Sequence, residues 1–268
     1  MTMTRFQAVI FDWAGTTVDY GSCAPARVFI EVFRVRGIDI TEPEARGPMG
    51  LAKREHIAAI ANVPRVAEIW RDTFGHLPTD ADVQAIYDDF LPLQKETLAN
   101  NSDVIPGVPE AIAECRRWGL KIGSTTGYTR ELMQVVAPIA ARGGYSPDVI
   151  VCSDDVLAGR PAPWMNFRVA EQLGVYPMTS VLVVDDTPVG ITAGLNACAT
   201  TVAITQTGNA IGLSPAEIAA LPVGDLDSRL ATIGQQFCKA GAHHVLRCVA
   251  DLPRFLNQLE PDRGSRKE

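Results

Sequence analysis

Asp12 closes a short apolar run, Phe6-Gln7-Ala8-Val9-Ile10-Phe11, and is followed by the turn-forming Gly15 and the hydroxyls of Thr16 and Thr17. A carboxylate at the end of a buried strand is a candidate nucleophile. Three further segments run apolar and then abruptly polar: 120–126, 149–153 and 181–186. The first of these ends in Ser124-Thr125-Thr126-Gly127, whose hydroxyls and backbone N–H groups lead into a helix N-terminus, a natural phosphate site. Arg160 follows the second in Gly159-Arg160-Pro161, and the third ends in the pair Asp185-Asp186. A carboxylate nucleophile, hydroxyls, a cation and an acidic metal ligand on one rim suit phosphoryl transfer, which depends chiefly on positioning and charge neutralisation. Taken singly, each of these residues is also an ordinary helix cap or turn residue. Their ordered coincidence is what points to chemistry.

Such a rim requires strands that end side by side. The apolar runs, with a fifth at 200–204, alternate with stretches of 3.6-residue periodicity at 108–118, 128–141, 164–173 and 189–197. Strands alternating with helices imply an α/β fold with a doubly wound parallel sheet, in which ligands bind outside the carboxyl ends of the strands. Residues 22–100 break the rhythm. They hold helical segments at 25–36, 51–61, 64–74 and 80–98 and no convincing strand. The expected organisation is an α/β core of residues 1–21 and 100–268, with residues 22–99 as an inserted all-helical cap.

Composition removes several alternatives. The 268 residues carry 24 Lys+Arg against 31 Asp+Glu, a net charge of −7, with 47% hydrophobic and 21% charged residues. A chain of this size buries about three quarters of its surface, so a core forms without staples. The acidic balance argues against nucleic acid or an anionic membrane surface as partner. The one basic cluster, 263–267, alternates with Asp262 and Glu268 and reads as a frayed, solvated end. No stretch approaches the ~20 apolar residues of a membrane span, and no signal-peptide pattern precedes Asp12. The six cysteines, at 23, 115, 152, 198, 238 and 248, form no C-x-x-C pair and are expected to be reduced core thiols of a cytoplasmic protein. Cys23, beside Ser22 at the hinge, is read as structural, and His243 and His244 as packing or surface residues.

The order of these motifs, with D-x-x-G-T-T first, resembles the haloacid dehalogenase-like (HAD) superfamily of aspartate-nucleophile hydrolases, with its Rossmann-like core. Most phosphatases of that superfamily have a second Asp two residues after the nucleophile to protonate the leaving oxygen. Here that position is Ala14, so the departing group is not expected to be an alkoxide. The stretch Asp12-Trp13-Ala14-Gly15-Thr16-Thr17-Val18-Asp19-Tyr20-Gly21 resembles one member family in particular, the phosphonoacetaldehyde hydrolases or phosphonatases. So do Pro48-Met49-Gly50-Leu51 with Lys53 and His56, Gly123 to Arg130, Ala158 to Pro161, Leu173 to Met178, and Gly241-Ala242-His243. The resemblance implies hydrolysis of phosphonoacetaldehyde to acetaldehyde and phosphate, with Mg²⁺, by a homodimer serving 2-aminoethylphosphonate degradation.

The residue types make chemical sense of that reaction. A P–C bond is inert unless the leaving carbanion is delocalised, and an iminium formed between an amine and the β-aldehyde supplies that sink. By resemblance Lys53 is the Schiff-base lysine. His56, at i+3 on a helix beginning near Leu51, shares its face and helps proton transfers. Asp12 attacks phosphorus to give an aspartyl phosphate that water hydrolyses. The resemblance assigns Mg²⁺ to Asp12, the Ala14 carbonyl and Asp186, and the phosphonate oxygens to Thr126, Gly127 and Arg160. Gly190 stands where the superfamily often has another Asp, so Asp185 is kept as an alternative metal ligand. Met49 and Tyr128 are placed in the substrate cavity, with core packing the other reading. Two competing functions remain open: another HAD-type hydrolase, against which Lys53 and Ala14 speak, and a phosphate-sensing protein without catalysis, against which the joint presence of Asp12, Lys53 and Asp186 speaks.

Overall fold

The computed structural model describes residues 6–259, so the basic cluster at 263–267 lies outside the described residues. In chain order the elements are β1 (Ala8–Phe11), α1 (Cys23–Arg34), α2 (Glu42–Arg46), α3 (Lys53–Ala61), α4 (Pro64–Phe74), α5 (Asp80–Asn100), α6 (Val108–Arg117), β2 (Lys121–Thr125), α7 (Arg130–Arg142), β3 (Val149–Val151), α8 (Trp164–Leu173), β4 (Val181–Asp185), α9 (Pro188–Asn196), β5 (Thr200–Ile204), α10 (Pro215–Ala220), α11 (Val223–Lys239), β6 (His244–Leu246) and α12 (Leu252–Leu259). The six strands form one sheet in the order β3-β2-β1-β4-β5-β6, and every pairing is parallel. The expected α/β fold with a parallel sheet is therefore the fold observed.

β1 is an unbroken apolar run because both of its faces are covered. Its side chains divide by the two-residue period of a strand. Val9 and Phe11 join Leu182 and Val184 of β4 on one face, with Leu132 and Val136 of α7. Ala8 and Ile10 join Val181 and Val183 on the other, with Met165 and Val169 of α8. This two-sided burial holds β1 and β4 rigidly in register, Phe11 opposite Val184, and so fixes where their polar ends emerge.

Helices α1 to α5 make a separate apolar cluster in which Phe29 and Phe33 of α1, Ile57 and Ile60 of α3, Trp70 of α4, and Ile86 and Phe90 of α5 pack together. Their starts are set by local chemistry: Thr41 with Glu44 and Thr79 with Asp82 form reciprocal capping boxes for α2 and α5. Asp19 serves α1 in the same way from further back, accepting from the N–H groups of Cys23 and Ala24 at 3.1 Å each.

Several expectations need correction. α3 begins at Lys53 rather than near Leu51, because 48–51 is a turn in which Leu51 N–H donates to the Pro48 carbonyl and Gly50 sits at φ +96°. Cys198 and Cys238 are exposed, so the core-thiol reading holds for Cys115 and Cys152 but not for them. The segment entered by His243 and His244 holds a sixth strand, where Thr201 N–H donates to His243 Nδ1 at 3.1 Å and the His244 ring packs against Phe255.

Candidate active site

The chain runs outward from β1 to β2 and β3, then crosses back to β4 on the other side of β1. That reversal opens a crevice at the carboxyl ends of β1 and β4. Asp12 and Asp186 are the first residues beyond these strands, and Asp185 is the last of β4. All three are buried, and one oxygen from each lies within 4.8 Å of the others. Arg160 Nη2 stands 2.6 Å from Asp12 Oδ1 and 3.2 Å from Asp185 Oδ2, and it donates to Thr125 Oγ1 at 2.8 Å. Asp186 accepts from Thr16 Oγ1 at 3.0 Å and from the Asn209 N–H at 2.7 Å.

Three carboxylates share this space with one guanidinium. Burial pushes Asp12 up to about 7, with Arg160 pulling the other way. Asp186 is driven well above the usual carboxylate range by burial and by the charges of Asp12 and Asp185. Among the described residues Asp186 forms no ion pair, so three ionised carboxylates would exceed what the one guanidinium neutralises. An all-oxygen donor set with uncompensated negative charge fits a hard divalent cation.

Opposite this rim, α3 presents Lys53 as its first residue. The approach of the two sides depends on glycine: a Cβ on Gly50 would lie 2.5 Å from Thr187 Oγ1, and one on Gly127 would lie 2.6 Å from the Leu51 carbonyl oxygen. Lys53 is 4% exposed, with Nζ 4.7 Å from the centroid of the Tyr128 ring and 5.5 Å from that of Phe29. Burial lowers its pKa from 10.5 to about 8, against the pull of Asp12 and with the help of Arg160.

His56, one turn on, stacks on Phe29 at 3.8 Å between centroids and is wholly buried. Its Nε2 lies 2.8 Å from the Ala45 carbonyl. A carbonyl only accepts, so Nε2 carries the hydrogen and Nδ1 holds the lone pair. Nδ1 has no hydrogen-bond partner among the described residues. Burial and the neighbouring Lys53 hold the imidazole neutral, its pKa well below the usual histidine value.

Between the two sides lies a cavity of about 20 Å³, lined among others by Asp12, Ala14, Met49, Lys53, Thr126, Gly127, Tyr128 and Arg160. Eight of the residues singled out from the sequence thus meet at one place. His56, Asp185 and Asp186 stand outside the lining. A space of this size admits about one water, so the helices lie closed over the rim. Sequence reasoning missed Ser22 and Thr187, which also line the cavity, and Asn209, which with Thr16 holds Asp186. Thr187 had a readable signal as a cap residue directly before Pro188. Asn209 had none, because its loop reaches Asp186 only through the fold. The hydroxyls of Ser22 and Tyr128 have no hydrogen-bond partner among the described residues.

A buried carboxylate at the end of β1, an arginine paired with it and an acidic end of β4 beneath the helices fit a hydrolase of the HAD class, and a sequence profile of the haloacid dehalogenase-like hydrolases matches residues 6–197. The chain is 47% identical to the phosphonoacetaldehyde hydrolase of Paraburkholderia xenovorans (strain LB400), over 96% of this chain and 97% of that one. It is 46% identical over 96% of its length to a bifunctional phosphonoacetaldehyde hydrolase/aminoethylphosphonate transaminase of Clostridioides difficile (strain 630), of which the match covers 40%. The crystal structure of a phosphonoacetaldehyde hydrolase-like protein from Oleispira antarctica superposes with a TM-score of 0.94 at 36% identity, over 98% of this chain and 96% of that one. The chain therefore belongs to the phosphonoacetaldehyde hydrolase family of haloacid dehalogenase-like hydrolases. It is an enzyme. Among the described residues no helix is long and apolar enough to cross a membrane.

Proposed function

We propose that the chain hydrolyses phosphonoacetaldehyde to acetaldehyde and phosphate through an imine on Lys53 and an aspartyl phosphate on Asp12. The observation that carries this reading is the buried amine of Lys53, its pKa brought down to about 8, on the same cavity as Asp12 and Arg160. A lysine at its ordinary pKa is almost wholly protonated at pH 7; the shift raises the neutral, nucleophilic fraction about 300-fold.

Neutral Lys53 adds through Nζ to the aldehyde carbon, and loss of water leaves an iminium. His56 Nδ1, neutral and one turn away, accepts and returns a proton in these steps. Arg160, Thr126 and Gly127 hold the phosphonate oxygens. An Asp12 oxygen then bonds to phosphorus as the P–C bond breaks, and that electron pair enters the iminium to give an enamine. The enamine takes a proton on carbon, and its hydrolysis frees acetaldehyde and Lys53. Water cleaves the aspartyl phosphate to release phosphate and regenerate Asp12. No alkoxide departs, which accords with Ala14 in place of an acid. Mg²⁺, held by Asp12, the Ala14 carbonyl and Asp186 with Asp185 alongside, would neutralise the phosphoryl oxygens when bound.

Residues 22–99 are read as the cap and 1–21 with 100–268 as the core, a division supported by the separate apolar cluster of α1 to α5. A cavity closed to one water supports a cap that opens to admit substrate. A role in 2-aminoethylphosphonate degradation is supported by the transaminase joined to the Clostridioides difficile relative. A homodimer is supported by the exposed apolar side chains of Leu157, Trp164 and Phe167, which line one surface pocket. Cytoplasmic placement is supported by the exposed, unpaired thiols of Cys198 and Cys238. The experiment that tests the function compares phosphate release from phosphonoacetaldehyde with release from a simple phosphomonoester. Preference for the phosphonate upholds the reading, and preference for the ester removes it.

A further inference from the structure

Asp185 is an acid with an unusual setting. At the end of β4 it is 1% exposed, and its carboxylate is engaged by protein donors. Thr187 donates twice to Oδ1, from its N–H at 2.9 Å and its hydroxyl at 2.7 Å, while Arg160 Nη2 lies 3.2 Å from Oδ2. Directly against this carboxylate is Gly190, in the first turn of α9. A Cβ on Gly190 would fall 2.0 Å from Asp185 Cγ, and 2.2 and 2.0 Å from Oδ1 and Oδ2. Any side chain at 190 must displace a carboxylate that three donors pin in place. The volume that an acid at position 190 would enter is the volume that Asp185 fills. Two backbone positions, a strand end and a helix turn, thus address one point beside Arg160.

We infer that Asp185 is a positioning residue that holds Arg160 for the reaction, and that it is delivered from β4 because Gly190 leaves the helix side open. The inference rests on the proposed roles of Asp12 and Arg160. Arg160 bridges two carboxylates, and one of them is the nucleophile. When the Asp12 oxygen bonds to phosphorus, that ion pair is lost, and Asp185 keeps the buried guanidinium paired and aimed. Without the charge of Asp185 the guanidinium follows Asp12, competing with phosphorus for the attacking oxygen.

The test separates charge from shape. Asp185→Asn keeps the volume and an acceptor for Thr187 but loses the charge, and should lower kcat on phosphonoacetaldehyde about 10- to 100-fold with little change in thermal midpoint. Asp185→Gly with Gly190→Asp, which carries the acid on the helix turn, should recover to within about fivefold of the wild-type chain. Asp185→Gly with Gly190→Asn, alike in packing, should not rise above Asp185→Gly alone. A second readout is the rise in thermal midpoint on adding inorganic phosphate with Mg²⁺; it should follow the same order and needs no turnover. Wild-type kcat in Asp185→Asn would overturn the inference, as would equal rescue by the Asp and Asn double variants or no rescue by the Asp double variant once folded. If the wild-type chain leaves phosphonoacetaldehyde untouched, the substrate assignment fails, while the phosphate readout still decides the role of Asp185.

Discussion

The two walls of the cavity are built on opposite principles. The wall at the sheet edge is saturated: Arg160 lies against two carboxylates and Thr125, and Asp186 accepts two hydrogen bonds. The wall at α3 is starved. Lys53 Nζ faces the ring of Phe29 and, across the cavity, that of Tyr128, and His56 Nδ1 has no partner among the described residues. The first arrangement holds charges still, as phosphoryl transfer requires. The second strips water from an amine and an imidazole and lowers the pKa of both, so that His56 stays neutral and Lys53 gives up its proton near pH 8. In the proposed reaction the rim supplies general phosphoryl chemistry, and burial between α3 and Tyr128 lowers the pKa of the lysine assigned to the imine.

The largest effects should come from the rim. Asp12→Asn removes the attacking charge at constant volume and should reduce phosphate release about 10⁴-fold or more, while imine formation on Lys53 survives. Single turnover in oxygen-18 water checks the order of events: label should enter the Asp12 carboxylate before it appears in phosphate. Label found in phosphate alone would give the attack to water. Chelation, the next largest effect, should lower turnover about 10³-fold, with Mg²⁺ restoring it. Full activity in excess chelator would show that the acidic cluster needs no cation.

Changes on the insertion side should be smaller and of a different kind. His56→Gln should slow imine formation about 10- to 100-fold, measured by trapping rate, with less effect on phosphate release from the preformed aspartyl phosphate. Equal slowing of both steps would make His56 a packing residue. The pH dependence of kcat/KM should rise about tenfold per unit and level off near 8, where Lys53 loses its proton. A midpoint above 10 would mean that burial leaves the amine unshifted.

The smallest effect concerns stability. Lys53 binds its proton less tightly in the folded chain than in the unfolded one, so the unfolded state holds more protons between pH 8 and 10.5. Folding stability accordingly rises through that window, and the full penalty, about 3 kcal/mol, applies below it. Lys53→Met should therefore stabilise the chain at pH 7, by up to that amount, and progressively less above pH 8. Denaturant unfolding at pH 7 and pH 10 measures both.

The rim was legible in the sequence because a buried parallel strand is an unbroken apolar run, and its end is marked by the first polar residue. Asp12, Thr126 and Asp186 stand at such ends. β6 was hidden for the same reason in reverse, since His244-Val-Leu246 is three half-buried residues with no apolar run to mark them. The insertion was legible as helices, but not in its detail. The start of α3 moved to Lys53 because Gly50 turns the chain against Thr187, a contact between residues 137 positions apart. The pairing of Asp185 with Gly190 was visible only as a departure, since its meaning lies in the overlap of a strand-end carboxylate with a helix-turn Cβ.

Borohydride trapping tests the central claim most directly. An imine between Lys53 and phosphonoacetaldehyde is reduced to a stable secondary amine, which peptide mass locates. The account predicts an adduct on Lys53, inactivation that requires the aldehyde, and no adduct or P–C cleavage in Lys53→Arg, which keeps the charge and still binds phosphate. Wild-type turnover without a trappable adduct, or undiminished cleavage by Lys53→Arg, would contradict it.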